Sequence, residues 1–269
     1  MRTAGHTTDS NNAEAQALNR ERAWLMSQKE SSLSIEPVAY LIEQCCQKLC
    51  FTNKFNASPD TLKERTVLVA EKVVLTSKNT DSVRCTLTML GDNITQAEVA
   101  IRYRKVAGGV FRSTAQPDVQ WKLDQLSDCE GHLLRAAEVV RSFTDDSREP
   151  LAQRRQRVES LYSHLENSRS ALALPKRRSL EELKSFRPSR CFLPPLPADL
   201  LLSFYVCSCR LVCASYQLQA NPPGAVGPAP FVMTQGDCQL PYLVDVLHLL
   251  TAALHHLQQA RNKLALFDR

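Results

Sequence analysis

The feature that most constrains this chain is a change of period in its apolar residues. Three stretches place leucine or another apolar residue at three-, four- or seven-residue steps of a heptad seam: Val119, Leu123, Leu126, Leu133, Ala137 and Val140, broken at Glu130; Leu151, Val158, Leu161, Leu165 and Leu172; and Leu243, Leu247, Leu250, Leu254, Leu257 and Leu264. That spacing lines one stripe of a helix and predicts antiparallel packing at shallow angles. A shorter stripe runs through Val38, Leu41, Ile42, Cys45 and Leu49. Elsewhere the period falls to two. Val83, Cys85, Leu87 and Met89 alternate with Ser82, Arg84, Thr86 and Thr88. After a turn at Gly91–Asp92–Asn93, the positions Ala97, Val99, Ile101 and Tyr103 alternate with Gln96, Glu98, Arg102 and Arg104. Side chains on a strand alternate faces, so two half-buried antiparallel strands are expected, with shorter candidates at Lys72–Ser77 and Val110–Ser113.

The expected fold class is therefore α+β. An antiparallel helical bundle gathers helices from the N- and C-terminal parts, over 21–60, 114–220 and 241–269, and a small antiparallel sheet at 61–113 is inserted, with 224–240 as a possible addition. Residues 1–20 are polar and are expected to be disordered. They carry no apolar run before a cleavage site, which argues for an intracellular chain whose ten cysteines stay reduced. The run Ala198–Ala220 is apolar enough to mimic a membrane span, but it holds Asp199, Arg210, Gln217 and Gln219. A central Arg costs at least ~2.5 kcal/mol in a bilayer, so a helix buried in the bundle is the expectation.

Catalytic signals are sparse. No phosphate loop, dinucleotide glycine pattern or His-Glu-x-x-His motif is present, and eight glycines leave little material for phosphate cradles. Cys207, Cys209 and Cys213 invite a metal, yet on a helix residues two apart point in different directions and no second cysteine pair completes a zinc spacing. Buried core thiols are the expectation there and at Cys45, Cys46 and Cys50. His248, His255 and His256 read as flank positions of the last helix. Arg154, Arg155, Arg157 and Lys176–Arg178 are the basic clusters. With 6% aromatic residues and a net charge of +5, they fit a solvated surface and not nucleic-acid binding. Pro175–Pro197 forms a connector in which Ser179 and Glu182 have the spacing of a capping box. Ser179 comes directly after Arg178, a pattern that also fits a phosphorylation site. No catalytic residue, cofactor or metal is expected.

Several segments carry a resemblance. Pro195–Leu201 with Tyr216–Gln217–Leu218, Leu87–Asp92 continuing through Gln96–Val99, and Gln120–Trp121–Lys122–Leu123 resemble the Rogdi family of leucine-zipper-like proteins, while Trp24–Leu25 and Lys263–Phe267 fit its two ends. The likeness extends over about Trp24 to Phe267. It implies helices gathered into a bundle with a β part inserted, and no catalytic residues. It also implies an adaptor similar to the small subunit of the complex that regulates assembly of the vacuolar-type proton ATPase. The partners implied are a WD-repeat scaffold of the rabconnectin kind and soluble-sector subunits of the pump. The place implied is the cytoplasm, peripheral to endosomal or vesicle membranes, with a monomer when alone. A self-associating structural scaffold, at the nuclear envelope for example, is the alternative. Two departures stand out: Asn221–Pro241 is short where the family supplies a further strand, and an insertion near Ser27–Pro37 breaks the first helix. Tyr103 and Phe111 are the aromatic side chains of the β region that a partner would contact, unless both belong to the core.

Overall fold

The computed structural model describes residues 35–49, 70–78, 82–116, 121–143, 150–185, 191–220 and 230–266, together with Gln16, Ala17 and Arg20, which are helical. The rest of 1–20, and the insertion near Ser27–Pro37 up to residue 34, lie outside the described residues.

Four long helices track the apolar stripes. They are α1 (Glu36–Leu49), α2 (Asp124–Arg141), α3 (Leu151–Ala173) and, after the short α4 (Leu180–Ser185), α5 (Pro241–Leu266). The stripes are the buried faces: Val38, Ile42, Cys45 and Leu49 on α1; Leu126, Leu133 and Ala137 on α2; Val158, Leu161, Leu165 and Leu172 on α3; Leu243, Leu250, Leu254, Leu257 and Leu264 on α5. Each helix packs on two others in a ring: α1 against α2 and α5, α3 against α2 and α5. Lys48 and Asp245 pair across α1 and α5 at 2.9 Å, and the Cys45 thiol faces the Val246 carbonyl. Pro150 stands immediately before α3, where its missing N–H costs nothing.

The sheet departs from expectation. It is not a small insert: among the described residues nine strands, β1 (Glu71–Thr76), β2 (Val83–Leu90), β3 (Asn93–Arg102), β4 (Val110–Ala115), β5 (Trp121–Lys122), β6 (Phe192–Leu193), β7 (Leu200–Cys207), β8 (Arg210–Leu218) and β9 (Phe231–Gln239), form one antiparallel sheet. Eight take the order β6-β4-β3-β2-β1-β9-β8-β7, and β5 pairs with β3. The path curls into a half-barrel, so the molecule is a mixed fold and not a helical bundle with a minor sheet. The expected strands at 72–77, 83–89, 96–103 and 110–113 are present as β1 to β4. The expected helix over Ala198–Ala220 is instead the β7–β8 hairpin.

The physical reason is burial on both sides. Leu200, Leu202 and Val206 join the main core with Leu211 and Cys213, while Leu201, Tyr205, Val212, Ala214 and Tyr216 form a second apolar cluster on the other face, covered by Leu183 of α4. A strand covered twice loses its alternation and reads as a continuous apolar run, which periodicity cannot distinguish from a buried helix. The strand suspected missing from Asn221–Pro241 is there as well: β9 pairs along β8 from Phe231 to Gln239 and meets β1 at Thr76↔Asp237. Gly236 sits at that junction. A Cβ there would stand 3.2 Å from the Thr76 carbonyl carbon and the Val83 oxygen, so an added side chain would press on backbone from two strands.

The hairpin turn is formed by Ser208 and Cys209, both at positive φ (49° and 58°). That is the backbone of a type I′ turn, whose usual Asn-Gly is absent here. Cys209 is buried with its thiol against the Leu243 carbonyl, but Ser208 is exposed. Ser208→Asn is therefore expected to raise stability by up to about 1 kcal/mol, because asparagine tolerates the left-handed region better than serine. Urea denaturation checks this, and an unchanged or lower midpoint would show that the turn carries no strain.

Helices and sheet meet through hydrogen bonds as well as core. The Ser208 and Cys209 N–H groups donate to the Ala173 and Leu172 carbonyls, satisfying the last turn of α3 with the tip of the hairpin. Beside it, the buried Gln125 amide lies 3.0 Å from the Ala171 carbonyl, 2.7 Å from Leu174 and 2.7 Å from Val206, and its oxygen accepts from the Val206 N–H at 2.8 Å. One side chain thus ties α2, the end of α3 and β7.

Candidate interaction surface

Where α3 ends, residues 175–179 lie outside any helix or strand, and α4 follows. The capping box closes as its spacing predicts: the Ser179 N–H donates to a Glu182 carboxylate oxygen at 2.7 Å, and the Glu182 N–H donates to Ser179 Oγ at 3.2 Å. The bond from the Ser179 backbone holds the Glu182 carboxyl below its ordinary range, with Arg178 assisting. Leu183 of α4 packs onto Leu201 and Tyr205.

This connector forms one wall of an open cleft of about 220 Å³, with the start of α2 and β7 as the others. Lys122, Lys176, Arg177 and Arg178 bring four cationic groups to it, with Asp124 and Glu182 as the lining carboxylates. Lys176 donates to Asp128 at 2.8 Å, which raises its pKa, while Arg178 lies 3.7 Å from Asp124 and Lys122 3.6 Å from Asp92. These pairs are solvent-exposed on at least one side, so each adds at most about 1 kcal/mol and exchanges readily. The Arg177 guanidinium stands 5.2 Å over the Tyr205 ring. The Tyr205 hydroxyl beneath is buried and has no hydrogen-bond partner among the described residues. Burial pushes its pKa up, and Arg177 opposes that. Among the described residues, Leu123, Gln125, Phe204 and Tyr205 complete the lining beside these charged groups.

A second polar group joins distant strands. The Tyr103 hydroxyl donates to Asp199 at 2.5 Å and Lys105 to the other oxygen of that carboxylate at 2.6 Å, while Gln217 donates to the Arg102 carbonyl. Burial, then the bond to Asp199, pushes the Tyr103 phenol up to about 12. Burial alone would raise the Asp199 carboxyl, but the bonds from Lys105 and Tyr103 outweigh it and hold it low. Tyr103 and Phe111, suggested as partner contacts, are both buried in the main core, with rings edge to face at 6.4 Å.

The cysteines of the metal argument lie on a strand, a turn and a strand, not on a helix as the spacing argument assumed. Cys209 and Cys213 are buried, Cys207 is half-buried, and no three potential ligands converge among the described residues. Burial pushes the Cys45 thiol up to about 12 and the Cys129 and Cys209 thiols upward as well. Cys85 is raised by its bond to Cys213 and by burial. These thiols stay protonated at neutral pH and serve as small apolar groups. Cys46 is buried too, and Cys50 lies outside the described residues. His248, His255 and His256 are all exposed along α5.

Nothing in the local spacing pointed to a different pair, His132 on α2 and His164 on α3, whose Nδ1 atoms are 3.4 Å apart. Such a contact needs one N–H and one lone pair, so double protonation breaks it. Burial first, then Arg135, lowers both pKa values, with Asp128 opposing at His132. A folded pKa below the unfolded one means the unfolded chain takes up more protons, so stability is complete above about pH 6.5 and declines as pH falls below it. Thermal melts from about pH 7 to about pH 5 are expected to show that decline and to flatten in the His132→Gln/His164→Gln variant. An equally steep decline in the variant would place the titration elsewhere.

Comparison with known proteins agrees with the resemblance read from the sequence. The family model described as Rogdi leucine zipper containing protein matches residues 21–228. A protein rogdi homolog of Caenorhabditis elegans is 34% identical over 258 residues, covering 91% of this chain and 87% of its own. Protein rogdi of Drosophila melanogaster is 28% identical over 97% of this chain and 92% of its own, and the Homo sapiens homolog is 28% identical over 74% and 77%.

Proposed function

The chain belongs to the Rogdi family, and from that premise we propose that it is a non-enzymatic adaptor promoting assembly of the vacuolar-type proton ATPase and, through it, organelle acidification. In this reading it works with a WD-repeat scaffold of the rabconnectin kind and with soluble-sector subunits of the pump, in the cytoplasm and peripheral to vesicle membranes. The observation that carries the reading is the extent of the family match, which spans most of the chain. Two features support it. The charged cleft beside the connector offers exchangeable ion pairs and an arginine over an aromatic ring, groups suited to a protein surface. No helix among the described residues is long and apolar enough to cross a membrane.

The ring of helices favours this over self-association through leucine zippers. The stripes of α1, α2, α3 and α5 bury one another within one chain, which supports a monomer over a zipper between copies. Affinity purification of the full chain from its own cells is the test. Recovery of a WD-repeat scaffold with pump subunits is expected, and recovery of neither would sink the proposal. Light scattering separates the alternative: a monomer at micromolar concentration is expected here, a stable oligomer there.

A further inference from the structure

We propose that Ser179 is the phosphoacceptor of an arginine-directed protein kinase, placed at the end of a connector outside any helix or strand, and that its modification exchanges the Arg178–Asp124 pair for an Arg178–phosphate pair. The residues before it are Lys176, Arg177 and Arg178, three cations in succession. Kinases of that class read a basic stretch with carboxylates, and they accept substrate as extended chain.

Sequence alone does not single out this serine, because four Arg–Ser steps fall within the described residues. The backbone does. Ser113 is buried in β4, with Oγ bonded to the Pro194 carbonyl. Ser170 lies inside α3. Ser142 caps the end of α2, where its Oγ donates to Val139. Only Ser179, of the four, combines exposure with the four preceding residues outside any helix or strand. The adjoining α4 is also short: it has six residues and is anchored by Leu183 and Leu180 on the second apolar cluster, so few contacts hold it. The ion pairs of Lys176 and Arg178 are exposed and exchange for kinase carboxylates at small cost.

In the reaction Ser179 Oγ attacks the γ-phosphorus of ATP. Its proton passes to the general base of the kinase, the bond to the β,γ-bridging oxygen breaks, and ADP leaves. The product carries about −1.5 to −2 charges at neutral pH beside Glu181 and Glu182. The Glu182 carboxylate then leaves the Ser179 N–H by like-charge repulsion, and Arg178, next in chain, turns from Asp124 to the phosphate.

The test uses the full-length chain, the catalytic subunit of an arginine-directed serine kinase, ATP and peptide mass spectrometry. Phosphate is expected at Ser179, with incorporation falling roughly tenfold or more in Ser179→Ala and in the exposed-charge variant Arg177→Gln/Arg178→Gln, which keeps the serine. Ser179→Thr, which retains both the cap and an acceptor, is expected to restore it. Equal incorporation in Ser179→Ala, or no loss on removing the two arginines, would overturn the site. Amide exchange at Leu180–Ser185 is expected to quicken in the phosphorylated chain. Unchanged exchange there would overturn the rearrangement.

Discussion

Gln125→Leu is expected to lower the unfolding free energy by about 3–5 kcal/mol, an effect far larger than an exposed glutamine would give. The Gln125 side chain is 4% exposed and contacts the carbonyls of Ala171, Leu174 and Val206 and the N–H of Val206. Leucine fills similar volume but leaves these groups without a partner, and each unsatisfied buried group costs about 1–3 kcal/mol. Because the amide bridges three elements, the loss should appear as a loosened joint between the helices and β7. Urea unfolding followed by tryptophan fluorescence measures it. A change below about 1 kcal/mol would mean that water replaces the amide, and that the joint is held by apolar packing alone.

Trp121→Ala is expected to cost about 3–5 kcal/mol, the usual range for deleting a buried aromatic side chain. Trp121 is 8% exposed and its ring lies 5.3 Å from Phe192 of β6 and 5.4 Å from Phe204 of β7. Those strands are the two ends of the eight-strand path, so the indole fills the space that the curl encloses. Trp121→Phe keeps one ring of the stack and should cost only about 1–2 kcal/mol. Thermal unfolding by circular dichroism separates the variants. If alanine were as well tolerated as phenylalanine, the aromatic stack would not be what closes the curl.

The helices were legible because each shows one apolar stripe to its neighbours and polar residues to water. The same holds for β2 and β3, whose alternation survives since one face only is buried. The β7–β8 hairpin was not legible: covered twice, it offers no alternation, and its Ser208–Cys209 turn lacks glycine. β9 could be read only as a possible addition at 224–240, because Phe231, Val232 and most of its later residues are exposed or half-buried, so burial imposes no pattern on the sequence. The cleft was legible in part. Lys176–Arg178 and the Ser179–Glu182 box could be read from local spacing, whereas Gln125, Tyr205 and Asp199 could not. A buried glutamine near a helix start looks like any solvated one until its carbonyl partners, 46 to 81 residues away, are in place. His132 and His164 likewise meet only because α2 and α3 pack.

The meeting of β9 with β1 at Thr76↔Asp237 bears on how the chain is made. Synthesis proceeds from one end, so the first four strands and the β7–β8 hairpin leave the ribosome while the strand that will join them is still inside the exit tunnel. During that interval both halves present raw backbone edges, the situation in which nascent chains recruit holding chaperones or stick to one another. Slowing translation within α5, when β8 has emerged and β9 is still enclosed, should therefore raise the insoluble fraction, whereas slowing it before Glu71 should not.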